Sequence, residues 1–199
     1  FGYHLVNIML HLCVGIILYF LTTELLTLEQ PTLASQFQKL PLVVSLIHLF
    51  NPVNVESVTY ISSRSSVLVT LFYLFSFYLF VRFSKVKEKY RNKWRYIHYP
   101  LIAFLLFLLG LGTKEIIVTL PVMAVLYLWV QSPTKNFQKF FPELAVIFIP
   151  LMIYLLYRYV QMGNLLIIRN DPYSHLVDRG LYLLTQIKVV VSYYLVKLL

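Results

Sequence analysis

The sequence predicts an all-α, polytopic transmembrane bundle of about seven segments. Hydrophobic residues make up 59% of the 199 positions and charged residues only 13%, whereas soluble domains average roughly 45–50% apolar and about 25% charged residues. The apolar residues come in blocks close to the ~20 residues that cross a hydrocarbon core as a helix. No alternating apolar and polar repeat is present, so strands are not predicted. Helices satisfy their own backbone hydrogen bonds in lipid and are the expected spanning structure.

The apolar blocks predict one transmembrane domain covering residues 1–199. No internal repeat or low-complexity linker divides the chain, and a cleaved signal peptide is not expected because the first block lacks a basic leader and a small-residue cleavage site. The chain starts at Phe1 without Met and stops inside an apolar run, which we interpret as a fragment of a longer protein. The predicted segments are residues 3–21, 40–60, 67–83, 97–112, 116–130, 144–160 and 181–199.

Lysine and arginine residues predict the orientation of these segments. The connection at 82–98 holds seven basic residues against the single acid Glu88, and basic connections face the cytoplasm. Alternation then places 22–39 and 131–143 inside, and 61–66, 113–115 and 161–180 outside. We interpret the net charge of +9 as this topology signal and as contact with anionic lipid, not as nucleic-acid binding. The seven basic residues are Arg82, Lys85, Lys87, Lys89, Arg91, Lys93 and Arg95.

The second segment requires a break. The run from Leu40 to Phe50 is only about 16 Å of helix at 1.5 Å per residue, and Pro52 follows it. Either the chain crosses through a proline break to about Tyr60, or it re-enters and returns to the same side. We favour the broken crossing, because a return would place the seven-basic connection outside. Broken helices in membranes are tolerated where the freed backbone lines a cavity.

Two polar clusters lie at predicted outer ends. Glu56, just after the break, either pairs with Arg64 or lines an outward-facing cavity, since an unpaired carboxylate in lipid is costly. In the second cluster, Lys114 and Glu115 are adjacent on the chain and so point to different partners. That cluster is interpreted equally well as an interfacial turn whose charges reach water.

Further polar residues interrupt the apolar blocks. The outer connection at 161–180 is about twenty residues long, a length that is uncommon unless the loop is functional or disordered. His4, Asn7 and His11 share one face of the first segment, where hydrogen bonding between helices is expected rather than a metal site, because a third ligand is lacking. His48 and Cys13 are single residues within apolar runs and are interpreted as packing.

Four groups of residues carry a family resemblance: Gly2-Tyr3-His4-Leu5-Val6-Asn7 with His11; Asn51-Pro52-Val53-Asn54-Val55-Glu56-Ser57-Val58 with Ser62 and Arg64; Thr113-Lys114-Glu115 with Val118-Thr119-Leu120-Pro121; and Thr185-Gln186 with Lys188 and Tyr193. On these residues the chain resembles the membrane region of bacterial proteins similar to the transmembrane and tetratricopeptide-repeat O-mannosyltransferases. That family is a branch of the type C glycosyltransferases (GT-C). Where the family usually has His-Pro-Val-His, this chain has Asn51-Pro52-Val53-Asn54.

The resemblance implies an enzyme that moves a sugar from a polyprenyl-phosphate donor to a protein or glycan acceptor at the periplasmic face of a bacterial inner membrane. It implies a catalytic acid in an outer loop before Phe1 and tetratricopeptide repeats after Leu199. No cofactor or metal ligand is assigned, and a need for a divalent cation stays open. The candidates for binding the donor phosphate or sugar are Arg64, Lys114, Glu56, Glu115, Arg158, Arg169 and His4.

Two other function classes are weighed against the enzyme. A sugar or lipid transporter would also place broken helices and charges around a cavity, although it would tend to show paired interruptions in two related halves. A non-catalytic membrane scaffold is the third possibility.

Overall fold

The structure, a computed structural model, describes residues 2–29, 36–89, 97–131, 141–162, 184–186 and 188–189. These residues are almost entirely helical, and no strand occurs among them, which confirms the predicted all-α class for the described part of the chain. The chain divides into two compact units, Phe1–Leu156 and Tyr157–Leu199. The second unit is described only through the end of one helix and residues 184–186 and 188–189.

The helices follow the first six predicted apolar segments. Most of the seventh, at 181–199, lies outside the described residues. In chain order the elements are α1 Gly2–Glu29, α2 Leu40–Phe50, a 3-10 turn Pro52–Asn54, α3 Val55–Thr59, a second 3-10 turn Ile61–Ser63, α4 Arg64–Lys89, α5 His98–Thr113, a 3-10 turn Glu115–Thr119, α6 Leu120–Gln131 and α7 Phe141–Met162.

Three described helices are long and apolar enough to cross a membrane: Gly2–Leu26, Arg64–Lys87 and Glu143–Gln161. The pair Leu40–Phe50 and Pro52–Thr59 also qualifies if its two parts, bent by 50° at the break, form one span. α5 is shorter, at about 24 Å for its sixteen residues. By length and composition, the described chain therefore has the helices of a membrane protein.

The fourth helix, α4, is the centre of the first unit. It packs against α1, α5 and α6, and its Phe80 and Val81 are fully buried. The buried hydroxyl of Ser76 donates a hydrogen bond of 2.9 Å to the carbonyl of Ala103, which ties α4 to α5. Large apolar side chains such as Ile16 are more than half exposed on the outside of the helices, as expected for a surface in contact with lipid.

Three ion pairs join the last turns of α4 to neighbouring helices. Glu24 on α1 accepts from Arg82 at 3.0 Å and from Lys85 at 2.9 Å, and Lys87 reaches Glu143 on α7 at 2.7 Å. We call these five residues the charged clamp. The prediction that Arg82, Lys85 and Lys87 belong to a connection is wrong, because α4 continues to Lys89 while their side chains pair with acids on other helices.

Candidate functional site

The site begins with the break between α2 and α3, which two asparagine side chains stabilise. Pro52 has no N–H to continue the helix. The Asn51 side chain accepts a 3.0 Å hydrogen bond from the backbone N–H of Val53 and caps the 3-10 turn. The Asn54 amide donates to the carbonyl of His48 at 2.8 Å. The amides therefore bond backbone groups that the interrupted helix would otherwise leave unpaired in an apolar environment.

α1 attaches to this break through its polar face. The Asn7 side chain, completely buried, donates to the carbonyls of Tyr60 at 3.1 Å and Val58 at 3.4 Å. Two histidines of α1 lie against carbonyls of the same region: His4 Nδ1 is 3.5 Å from that of Val58, and His11 Nε2 is 3.4 Å from that of Leu49. The hydrogen bonding between helices predicted for His4, Asn7 and His11 is confirmed.

A cavity of about 100 Å³ lies between α1, the break and the start of α4. The imidazoles of His11 and His48 face each other there with ring centroids 4.9 Å apart. His48 Nε2 is buried and has no hydrogen-bond partner within the described segments. The wall of this polar cavity is made of imidazole, amide, hydroxyl and valine groups, from His11, Val14, His48, Asn54, Ser57, Ser66, Val67 and Thr70.

Two cations lie at the start of α4 near this cavity. Arg64 is the first residue of α4, and its guanidinium stacks over the ring of Tyr3 at 5.1 Å. Its Nε and Nη2 atoms are buried without a hydrogen-bond partner among the described residues. The ammonium of Lys114 contacts the hydroxyl of Ser66 at 2.5 Å. Because Ser66 also lines the polar cavity, Lys114 Nζ lies at its rim.

The turn that carries Lys114 depends on Gly110. The Gly110 carbonyl accepts from the backbone N–H of Lys114 at 3.1 Å and from the Thr113 hydroxyl at 2.7 Å. A Cβ added at Gly110 would come within 2.0 Å of the Ile117 Cδ1 atom and 3.3 Å of the Phe72 Cβ. Ile117, itself fully buried, therefore packs its Cδ1 atom against Gly110, and a larger residue at position 110 would require the Ile117 side chain to move.

The two acidic candidates are exposed at the same end of the first unit. Glu56 lies on α3 and forms no ion pair with Arg64 within the part of the chain that the structure describes. The alternative in which these two residues pair is therefore not what the structure contains. Glu115 begins the 3-10 turn after Lys114.

The remaining two candidates fall outside the described part of the first unit. Arg158 is a buried side chain on α7 and falls in the second unit. Arg169 lies outside the described residues. Five of the seven predicted site residues lie in the first unit: His4, Glu56, Arg64, Lys114 and Glu115.

Sequence reasoning predicts a cavity at the break but misses most of the side chains that line it. His48, which the sequence predicts to serve only in packing, lines the cavity with Asn54, Ser57 and Ser66. Only the spacing of Asn54 from Pro52 hinted at a role, because polar side chains next to a proline often bond the freed backbone. No group of three or more His, Cys, Asp or Glu side chains that could hold a metal ion occurs among the described residues.

No protein-family model, curated protein or solved structure matches this chain. Inferences about its function therefore depend on the site geometry and on the motif resemblance.

Proposed function

We propose that the chain is the membrane region of a GT-C-like glycosyltransferase with about seven crossing segments. It moves a sugar from a polyprenyl-phosphate donor to a protein or glycan acceptor. The observation that carries the proposal is the pair of cations at the start of α4. Arg64 and Lys114 have no carboxylate partner among the described residues, and Lys114 reaches the rim of a polar cavity.

The donor phosphate is the ligand that these cations suit. The two buried guanidinium nitrogens of Arg64 are donors whose burial is costly unless an acceptor pairs with them. A phosphate oxygen is such an acceptor, and arginine binds phosphate in a fixed fork geometry. The backbone N–H groups in the first turn of α4 add partial positive charge at the same place.

The sugar is assigned to the polar cavity. Its imidazole, amide and hydroxyl groups can each donate to or accept from sugar hydroxyls, and no carboxylate or cation is among its lining residues. The buried Nε2 atom of His48 offers one hydrogen-bonding position there. Exposed Glu56 and Glu115 are proposed to orient the cations or the sugar from the rim, and His4 to hold the break beneath them.

With the donor phosphate at the cations and the sugar in the polar cavity, sugar transfer is proposed to occur as follows. The acceptor hydroxyl oxygen forms a bond to the anomeric carbon of the sugar as the bond from that carbon to the phosphate oxygen breaks. The bonding electron pair leaves with the phosphate, whose increased charge Arg64 and Lys114 stabilise. The hydroxyl proton goes to a carboxylate base, which the resemblance places before Phe1. Arg158 and Arg169 remain candidates for binding the donor phosphate. Arg158 lies in the second unit, and Arg169 lies outside the described residues.

The reaction is proposed to occur at the non-cytoplasmic face, periplasmic in a bacterial inner membrane. The charged clamp lies at the opposite end of α4, and further basic residues follow it in the sequence; basic residues of this kind favour the cytoplasmic side. Cysteines introduced as Ser63→Cys and Lys89→Cys test this orientation. Only the first should react with a periplasmic thiol reagent, and equal reaction of both would overturn the assignment.

Activity is tested in the full-length protein with polyprenyl-phosphate sugars and matched lysine variants. Lys114→Ala should lower the transfer rate, whereas Lys85→Ala, which removes a lysine already paired with Glu24, should leave the rate close to wild type. Equal rates for wild type and Lys114→Ala would exclude the role given to Lys114. Absence of transfer from every polyprenyl-phosphate sugar would exclude the enzyme.

One observation favours a transporter as the second candidate. The 50° bend between α2 and α3 beside a polar cavity resembles the discontinuous helices that bind substrates in transporters. Flux of a free sugar or lipid-linked sugar in proteoliposomes, without formation of a glycosylated product, would support transport and contradict the transferase.

A further inference from the structure

Tyr3, in the first turn of α1, contacts the guanidinium of Arg64 with its ring. The Arg64 Cζ atom lies 5.1 Å from the centre of that ring, within the ~6 Å over which an aromatic face attracts a cation. Tyr3 is 60% exposed, so its ring contributes little to the core of the first unit. The contact with Arg64 is therefore the main interaction that the structure gives to this aromatic side chain.

The polar face of α1 sets the position of Tyr3. Asn7 lies four residues further along on the same face of the helix, and its amide donates to the carbonyl of Tyr60 at 3.1 Å. The same carbonyl accepts from the N–H of Ser63 at 3.2 Å, in the turn that leads into α4. α1 is thus attached to the backbone just before Arg64, and this attachment brings the ring to the guanidinium.

An aromatic ring and a carboxylate would hold Arg64 with different consequences. A carboxylate would accept hydrogen bonds from the guanidinium and offset its charge. An aromatic ring attracts the cation through its π face and leaves the charge in place. The Nε and Nη2 atoms of Arg64 have no hydrogen-bond partner among the described residues. The contact with Tyr3 therefore holds the cation while these donors stay available.

Arg82, near the other end of α4, shows the alternative. Its Nη1 atom donates to a carboxylate oxygen of Glu24 at 3.0 Å, and Lys85 pairs with the same carboxylate. That arginine is held by a group that offsets its charge and occupies one of its donors. Of the two ways of holding an arginine, the contact with Tyr3 is the one that suits the binding of an anion.

We propose that Tyr3 is a positioning residue, which holds the Arg64 guanidinium in the orientation that binds a phosphate. The choice of an isoprenyl phosphate as the ligand rests on the proposed function, while the contact of ring and cation comes from the fold. Ordering a long side chain before the ligand arrives removes part of the entropy cost of binding. Loss of the ring should therefore weaken binding of the charged headgroup and leave contacts with the isoprenyl chain unchanged.

Binding to the full-length protein in lipid nanodiscs tests this without any sugar transfer. The probes are a radiolabelled long-chain isoprenyl phosphate and the uncharged isoprenol of the same chain length. Tyr3→Leu keeps an apolar side chain but removes the ring, and it should lower the affinity for the phosphate about fivefold, the size of a cation–π contact. Its affinity for the alcohol should not change. Tyr3→Phe keeps the ring and should bind both probes like wild type.

A double-mutant cycle separates positioning from folding. In an Arg64→Ala background, Tyr3→Leu should cause no further loss of phosphate affinity, because the ring then has no guanidinium to hold. Tyr19→Leu makes the same substitution further along α1, where the ring lies 5.6 Å from that of Phe20, and should leave the phosphate affinity unchanged. Melting temperatures close to wild type should accompany all of these variants.

Three results would each overturn the inference: wild-type phosphate affinity in Tyr3→Leu, an equal loss for both probes, or the same fivefold loss in the Arg64→Ala background. A loss in Tyr3→Phe as large as that in Tyr3→Leu would assign the effect to the hydroxyl and would also overturn it. The transfer assay is measured independently. Transfer with unchanged phosphate affinity in Tyr3→Leu would remove the inference alone, and a phosphate-specific loss in Tyr3→Leu without transfer by the wild type would remove the enzyme alone.

Discussion

The two ends of α4 carry the same kinds of cation in opposite electrostatic situations. At its end, Arg82 and Lys85 share the carboxylate of Glu24, and Lys87 pairs with Glu143. At its start, Arg64 stacks on an aromatic ring and has buried N–H groups without a hydrogen-bond partner among the described residues. Among the described residues, Arg82 Nε and Glu143 Oε2 at the charged clamp are also buried without a hydrogen-bond partner, so the two ends differ in ion pairing: one end has cations paired with carboxylates, and the other has a cation without a carboxylate partner among the described residues.

This difference predicts that the charged clamp at the end of α4 contributes to stability and that the start of α4 contributes to ligand binding. Ion pairs between helices hold α1, α4 and α7 together at the charged clamp. A buried donor without an acceptor is a cost to folding, and such groups in membrane segments are usually functional. The start of α4 is the place where that cost can be offset by a ligand, so substitutions at the two ends should affect different measurements.

The largest expected effect is that alanine substitutions of two arginines on α4 change different properties, one lipid binding and the other the melting temperature. Arg64→Ala should weaken binding of a long-chain isoprenyl phosphate at least about thirtyfold, because a buried charged hydrogen-bond donor is lost, and it should leave the melting temperature close to wild type. Arg82→Ala should lower the melting temperature and leave binding unchanged. Binding of a radiolabelled long-chain isoprenyl phosphate and thermal unfolding in detergent give the two readouts. Equal weakening of binding in both variants would contradict the proposed difference between the two ends of α4.

The charged clamp is tested by Glu24→Ala. Two cations lose their shared carboxylate, and the unfolding free energy should fall by about 2 kcal/mol, the size of a hydrogen bond to a charged group. Glu56→Ala is the matched control, since Glu56 is exposed and has no ion pair within the described residues. Its stability should stay within about 0.5 kcal/mol of wild type. Reversible unfolding in mixed micelles measures both, and equal losses would contradict the clamp.

The attachment of α1 to the break is tested by Asn7→Leu. The carbonyls of Val58 and Tyr60 lose their donor, so the unfolding free energy should fall by about 1.5 kcal/mol. The control is Thr23→Ala, whose hydroxyl bonds only the carbonyl of Tyr19 in its own helix and whose loss should be smaller. A result in which Thr23→Ala costs as much as Asn7→Leu would show that the break does not depend on α1.

The smallest effect is expected at Ser66. Ser66→Ala leaves the charge of Lys114 in place but removes the hydroxyl that holds its ammonium at the cavity rim. The transfer rate should fall about threefold, less than the loss of a whole hydrogen bond to a charged group, because Lys114 keeps its charge and can still bind the phosphate. Ser65→Ala, whose hydroxyl lies at 3.5 Å from the carbonyl of Ser62, should have no effect on the rate. A wild-type rate for Ser66→Ala would place Lys114 outside the site.

Much of the fold could be predicted from the sequence, because lipid requires long apolar helices. The helix Leu120–Gln131, for example, begins inside the predicted segment 116–130 and ends one residue beyond it. The ends of α1 and α4 could not be predicted. The segments 3–21 and 67–83 stop where charge appears, but the helices continue because Glu24, Arg82 and Lys85 neutralise one another across the α1–α4 contact. Hydropathy along one chain does not detect a partner on another helix.

The candidate site, like the fold, could be predicted only in part from the sequence. Arg64 and Lys114 were recognisable because they lie at predicted outer ends of apolar blocks and within the motifs that carry the family resemblance. The convergence of His48, Asn54 and Ser66 on one cavity could not be recognised from the sequence, since it depends on the 50° bend between α2 and α3. That angle is set by hydrogen bonds from Asn54 and Asn7 to backbone carbonyls, which no spacing rule along a single segment can give.

The folding of Ile117 over Gly110 has a consequence for how this protein can vary. A single methyl group at position 110 would collide with the end of the Ile117 side chain, so this buried side chain would have to change its rotamer in the core beside the turn that carries Lys114. The packing of that turn therefore favours the smallest residue at position 110. Natural variation at position 110 should accordingly be narrower than at the lipid-facing positions around it, and a larger residue there should occur together with a smaller one at 117.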